Sequence, residues 1–135
     1  MQSTGRLLFL GVLTLMALAC FLTGNSLVDS SASAHVWHDI DADGTKDPED
    51  TPTERIQVCA TTDPKINNEL EADYCYYTDH NGDVPSSDEV RGMFFPGAKC
   101  QDIYIFVVLP KGYDISTPRK VIDCEANFGL VTLSP

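Results

Sequence analysis

The sequence predicts an all-β domain, a single antiparallel β-sandwich of about seven short strands, behind an N-terminal export signal. Three observations carry this. With 135 residues the chain has room for one core of ordinary size and no second one. Its 9 Gly and 8 Pro are frequent for this length, which suits a loop-rich β protein better than a helix bundle. Four of its 5 Cys, set beyond the leader, form an even set that suits a small exported fold. The balance of 20 acidic against 9 basic residues excludes a nucleic-acid binder, which needs a basic face for phosphate. It also excludes adhesion to anionic lipid through a polybasic patch. A 43% apolar content is enough for a core and rules out wholesale disorder.

The first segment is a leader. Residues 7–22 are uncharged and mostly apolar, and they follow the basic Arg6. Polar Gly24, Asn25 and Ser26 come next, then small residues up to Ala34. That is the order of a secretory signal, so residues 1–34 are set apart from the domain at 35–135. The apolar run is slightly short of the roughly 20 residues a spanning helix needs. Two A-x-A stretches compete as the cut site. Ala32-Ser33-Ala34 would leave His35 first, and Ala17-Leu18-Ala19 would leave Cys20 first. The second resembles a lipoprotein signal, with a lipidated Cys20 and a short tether, although Ala17 stands where Leu is usual. Either cut leaves the domain outside the cytoplasm, secreted or at the cell surface, and membrane contact is expected only through such a lipid.

Seven segments then read as strands: 36–37, 56–60, 74–77, 90–95, 103–109, 120–122 and 128–133. Residues 103–109 are apolar on both faces, β-branched and aromatic, which predicts a central strand. Asp79-His80-Asn81-Gly82 is turn chemistry, and Pro110-Lys111-Gly112-Tyr113 ends the central strand. Residues 67–72 allow one short helical turn at most. The four remaining cysteines, Cys59, Cys75, Cys100 and Cys124, allow three pairings. Cys59–Cys75 and Cys100–Cys124 are expected, because each pair lies in neighbouring apolar segments. Zinc is disfavoured, since none of the four belongs to a Cys-x-x-Cys pair.

The chemistry concentrates in residues 39–50, which hold six acidic residues and one basic one. Asp39, Asp41, Asp43, Asp47 and Asp50 occupy positions 1, 3, 5, 9 and 12 of a calcium loop, with Gly44 at position 6. Ca²⁺ is a hard cation that takes six to eight oxygens at roughly 2.3–2.6 Å, and alternating Asp side chains on a curling backbone point inward. The Thr45 carbonyl can add an oxygen. Position 12 usually supplies a bidentate Glu; here it is Asp50, one methylene shorter, with Glu49 beside it, which predicts a weaker grip. Without a cation the carboxylates repel one another well inside the roughly 8–10 Å screening length. Magnesium fits less well, because it keeps most of its waters. The motif does not imply a helix-loop-helix, since His35-Val36-Trp37-His38 before it reads as strand.

Other constellations are weaker. His35 and His38 frame a His-x-x-His without a companion carboxylate motif, so they read as surface histidines. No Gly-x-Ser-x-Gly elbow, Gly-rich phosphate loop or Asn-x-Ser/Thr sequon occurs. Nothing therefore points to an enzyme. Trp37, directly before the loop, reads as a core plug beneath it. The turn at Asp79, Asn81 and Asp83 reads as a hairpin turn, with a second oxygen site as the alternative.

Several motifs follow one another in an order that resembles the SD-repeat protein B domains. They are Val36-Trp37-x-Asp39-x-Asp41-x-Asp43-Gly44-x-x-Asp47-Pro48-x-Asp50, Ile56-x-Val58, Thr78-Asp79-x-Asn81-Gly82, Phe95-Pro96-Gly97, Tyr104-x-Phe106-x-Val108-x-Pro110-x-Gly112-Tyr113 and Phe128-Gly129-Leu130. The resemblance implies a Ca²⁺-binding sandwich with a prealbumin-like or immunoglobulin-like look, in a surface or secreted protein. The cysteines are not part of that family's general pattern. The leading expectation is an exported, non-catalytic, monomeric structural or adhesive module stiffened by Ca²⁺. The alternative is a secreted binding protein for a carbohydrate or a protein partner, with the acidic loop used in recognition.

Overall fold

The computed structural model describes residues 28–86, 89 and 92–134. The apolar run of the leader, Cys20, and Val90 and Arg91 of the segment predicted at 90–95 lie outside the described residues. Among the described residues ten strands form two packed sheets. The larger sheet is built on β1 (Ser30–His38), β2 (Thr51–Pro52), β5 (Asp83–Val84), β6 (Met93–Phe95), β8 (Tyr113–Ile115) and β10 (Glu125–Thr132). The smaller one runs in the order β4 (Tyr74–Tyr77), β3 (Gln57–Thr61), β7 (Tyr104–Val108), β9 (Lys120–Ile122). The predicted sandwich is therefore present, and β7 is an inner strand, as its two apolar faces require.

Alternation along the strands makes the core. Ala32, Ala34 and Val36 of β1, and Ala126, Phe128 and Leu130 of β10, point inward at every second residue. Val58 and Ala60 of β3 and Ile105 and Val107 of β7 meet them from the other sheet, with Met93, Phe95, Ile56 and Ile103 closing the edges. Cys59 and Phe106 point to the far face of the smaller sheet and are still buried. The 62–73 segment lies beside that face, held by Lys120 Nζ, which donates to the carbonyls of Pro64 and Ile66 and to Asn67 Oδ1 at 2.9, 3.0 and 3.0 Å.

Two disulfides join Cys59 to Cys75 and Cys100 to Cys124. The first links directly opposed residues of β3 and β4, and the second ties a 3₁₀ turn (Cys100–Asp102) to the start of β10. Both bonds persist only under oxidising conditions. No helix among the described residues is long and apolar enough to cross a membrane.

The structure departs from the sequence reading at four places. Strand β1 begins at Ser30, not at Val36, and it organises the larger sheet. One of its edges meets β6, β5 and β2 in succession, and its other edge meets β10. The β1–β10 pairing is parallel, with Ser33 opposite Glu125 and His38 opposite Leu130, whereas every other ladder is antiparallel. Three strands unforeseen in the sequence, β2, β5 and β8, are two or three residues long and owe their pairing to β1 or β10. Residues 67–72 form no helix. Asn68 Oδ1 instead accepts the backbone N–H groups of Leu70 and Glu71, a local turn in which the side chain replaces the first helical carbonyl.

Candidate metal centre

The acidic loop leaves the end of β1. The ladder continues one residue past the strand, since the Asp39 N–H donates to Leu130 O at 2.8 Å. That bond fixes the first loop residue on the rigid β1–β10 pair. Trp37, two residues back and 3% exposed, is buried, but apart from the inward-facing core residues of β1, with its ring against Gly129 of β10 rather than as a plug in the core.

Asp39 is fully buried. Its Oδ1 accepts the Ala42 N–H at 2.9 Å and its Oδ2 accepts the Gly44 N–H at 2.8 Å, so one carboxylate draws the loop into a curl. The curl uses left-handed backbone at Ala42 (φ 61°) and Gly44 (φ 78°). A side chain at Gly44 would start 3.0 Å from the Ser116 carbonyl oxygen, so position 44 also lacks space. Asp43 Oδ1 accepts the Thr45 N–H at 2.7 Å. Asp50 braces the two ends of the loop: its Oδ1 accepts from Ile40 at 3.1 Å and its Oδ2 from Asp47 at 2.7 Å.

The electrostatics follow from this crowding. The Ser116 hydroxyl, with the Gly44 N–H and further donors in support, holds the Asp39 carboxyl below its ordinary 3.8 against the opposing effect of burial. Asp41 is raised, first because it shares a hydrogen bond with Asp39, then by desolvation and by the neighbouring carboxylates Asp43 and Asp47. Asp47 is raised by desolvation and by repulsion from Asp43, Asp50, Glu49 and Asp39.

One carboxylate oxygen from each of Asp39, Asp41 and Asp43 lies within 4.8 Å of the other two. Three of the predicted ligands thus converge, on one buried and two exposed side chains. Asp47 and Asp50 stand outside that triplet, and Asp50 is engaged with backbone amides. The Thr45 backbone is fixed through its N–H. All the donors are carboxylate oxygens, and each oxygen that accepts an amide keeps a second lone pair, so the set suits a hard cation.

Ser116 is the residue that sequence reasoning missed. It follows β8, its N–H donates to Gly129 O at 2.9 Å, and it reaches Asp39 only because β8 pairs with β10. No local pattern marks it. The second turn is a tight turn but closes no hairpin: it carries the chain from β4 in the smaller sheet to β5, which pairs with β1 in the larger one. Asp79 Oδ1 accepts from Asn81 and Asp83, and Gly82 (φ 76°) sits so close to β1 that a Cβ there would be 2.3 Å from Val36 O. His35 Nδ1 lies 2.7 Å from Asp83 Oδ1 and His38 Nε2 lies 2.7 Å from Thr132 Oγ1, so two of the three histidines are fixed by side-chain partners.

No family model matches the chain, and no curated protein matches it.

Proposed function

We propose that this chain is an exported, non-catalytic β-sandwich module that Ca²⁺ stiffens, a structural or adhesive element at the cell surface similar to the SD-repeat protein B domains. The observation that carries the reading is the convergence of Asp39, Asp41 and Asp43 on a loop anchored through a buried Asp39. Asp39, Asp41 and Asp43 would hold the ion, with Asp47 and the Thr45 carbonyl drawn in. Asp50 holds the loop closed and is the reserve ligand. Bound Ca²⁺ would replace the hydrogen bond that Asp41 shares with Asp39 and cancel the repulsion around Asp47.

The topology supports a structural role. The chain enters β1 at Ser30, and β10 runs parallel to it toward Thr132, beside His38. Entry and exit therefore sit at opposite ends of the sheet, roughly 27 Å apart for a nine-residue strand. Tension between the ends would load the β1–β10 ladder along its length. The two disulfides support export into an oxidising environment.

Titration calorimetry and thermal melts of the chain in chelator, Ca²⁺ and Mg²⁺ test the proposal. An affinity on the order of 10⁻⁴–10⁻³ M is expected for an extracellular site of this kind. At a tenfold excess over Kd the folded state gains about 1.4 kcal/mol. No heat and no shift in melting temperature at 10-fold higher Ca²⁺ than that range would refute it.

A second reading has one feature in its favour. The Tyr74 and Tyr76 rings lie nearly parallel, with centroids 6.4 Å apart, and with Phe94 they line an open cleft. Such faces can stack on sugar rings. A carbohydrate partner would bind equally well in chelator and be lost in Phe94→Ala.

A further inference from the structure

We infer that the export signal is cut upstream of Asp29, so that residues 29–34 remain in the mature chain as the first half of β1. The inference rests on the proposed export of the chain. The motif Ala32-Ser33-Ala34 has the composition of a cleavage site, but in the fold it is strand. Ala32 and Ala34 are 2% and 6% exposed and belong to the core. Ser30, Ser31 and Ala32 are paired with Phe95, Phe94 and Met93, the strand partners of β6 in the sheet. The Ser33 N–H donates to Cys124 O at 2.8 Å, beside the Cys100–Cys124 disulfide.

The order reaches one residue further out. Asp29 Oδ1 accepts the Gly97 N–H at 3.0 Å, and the Ser30 hydroxyl donates to Ala98 O at 2.8 Å. A cut after Ala34 would remove all of these groups. It would leave β6 without its partner, expose Met93 and Phe95, and leave the N–H groups and carbonyls of a buried edge unpaired. The small side chains at 30–34 have a second explanation, because Ala and Ser fit where β1 passes between β6 and β10. The other A-x-A stretch, Ala17-Leu18-Ala19, satisfies a cut that spares the strand and makes Cys20 the first residue.

The placement has a consequence for the candidate metal loop. The chain segment before Asp29 leaves from the end of β1 opposite Asp39. A short tether from there to a surface would hold the acidic loop on the outward side.

The test is the full chain expressed with its leader in a secreting host. Intact mass and N-terminal sequencing are read on the exported protein. A first residue anywhere up to Asp29, including Cys20 with or without added acyl mass, supports the inference. A first residue from Ser30 to His35 overturns it while leaving export intact. A cell-retained chain still beginning at Met1 overturns both the inference and the export on which it rests. The variant Ser33→Pro gives a second measurement, because it removes the N–H that reaches Cys124 while sparing both alanines of the motif. If residue 33 is retained, the exported variant melts roughly 5 °C lower. If residue 33 has been cut away, its melting temperature matches the parent, which overturns the inference.

Discussion

Asp39 accepts the Gly44 N–H at 2.8 Å from a fully buried position, so a charged group inside the protein fixes the shape of a loop whose other acids are half-buried or exposed. The same carboxylate closes the curl onto Ala42. Asp39→Asn keeps the size but offers one acceptor oxygen where the loop uses two, and its amide would face an N–H. The expected cost is about 1–3 kcal/mol, with loss of any Ca²⁺-dependent rise in melting temperature. Asp50→Asn removes a brace that is less buried, so the expected loss is smaller, about 0.5–1.5 kcal/mol. Urea unfolding of both variants with and without Ca²⁺ checks the ordering. Equal losses would place the anchor of the loop elsewhere.

Acid should act on this loop in two opposite stages. Asp41 and Asp47 have raised values, so their protonated forms are favoured by folding. That contribution is fully present below the unfolded value of 3.8 and is lost as pH rises through the higher folded values. Asp39 is lowered, so its contribution is present above 3.8 and is lost as pH falls through its folded value. In chelator, the loop should therefore gain stability as pH drops from neutral toward that region and lose it again below. In Ca²⁺ the first stage should reverse, because protons and the cation compete for the same oxygens. Melting temperature against pH, with and without Ca²⁺, shows this as two curves that converge in acid. Parallel curves would disconnect the cation from Asp41.

Ala42 holds left-handed backbone at φ 61° without being Gly. That conformation costs an L-residue roughly 1–2 kcal/mol, and Gly would avoid it while adding roughly 0.5–1 kcal/mol of chain entropy to the unfolded state. Ala42→Gly should thus stabilise the protein by up to about 1 kcal/mol, a rise of a few degrees in melting temperature. Ala42→Val should do the reverse, since β-branching tolerates this region least. A fall in stability with Gly would mean that the loop adopts another curl in solution.

The reach of the sequence follows from what each signal depends on. Segments whose strand character lies in their own side chains, such as Tyr104–Val108 and Lys120–Ile122, were legible because β-branched and aromatic residues declare themselves locally. The disulfide pairing was legible for the same reason, since each pair joins neighbouring segments. Ser30–Ala34 carries no strand signal of its own and resembles the end of a leader, because Ala and Ser have little strand preference and their burial is set by partners at 93–95 and 124–126. Thr51–Pro52 and Asp83–Val84 exist as strands only because β1 offers them an edge. At the candidate site, the spacing of Asp39, Asp41 and Asp43 was written in the chain, whereas Ser116 enters through the pairing of β8 with β10.

Lys120 is a half-buried cation held in place by several partners. Its ammonium donates to two carbonyls and an amide oxygen of residues 64–67 and lies 5.1 Å from the centre of the Tyr104 ring. Lys120→Met keeps the stem but leaves those oxygens to water, at an expected cost of about 1–2 kcal/mol. The loss should be local, with faster amide exchange and proteolysis within residues 62–73 and an unchanged response to Ca²⁺. Global acceleration of exchange would show that this segment is part of the cooperative core.

The two disulfides should contribute similar stability but protect different parts of the fold. They span 16 and 24 residues, which chain entropy translates into about 3 and about 3.5 kcal/mol. Cys59 is fully buried, so Cys59→Ala with Cys75→Ala adds a cavity to the lost crosslink and should be the costlier pair. Cys100 and Cys124 lie nearer the surface, and there the damage should concentrate where Cys124 O receives the Ser33 N–H. Hydrogen exchange should then rise first at Ser33 and along residues 93–95, while the 39–50 loop keeps its protection in Ca²⁺. Simultaneous loss of protection at both ends of β1 would show that the strand responds as one rigid unit, with the disulfide holding the metal loop as well.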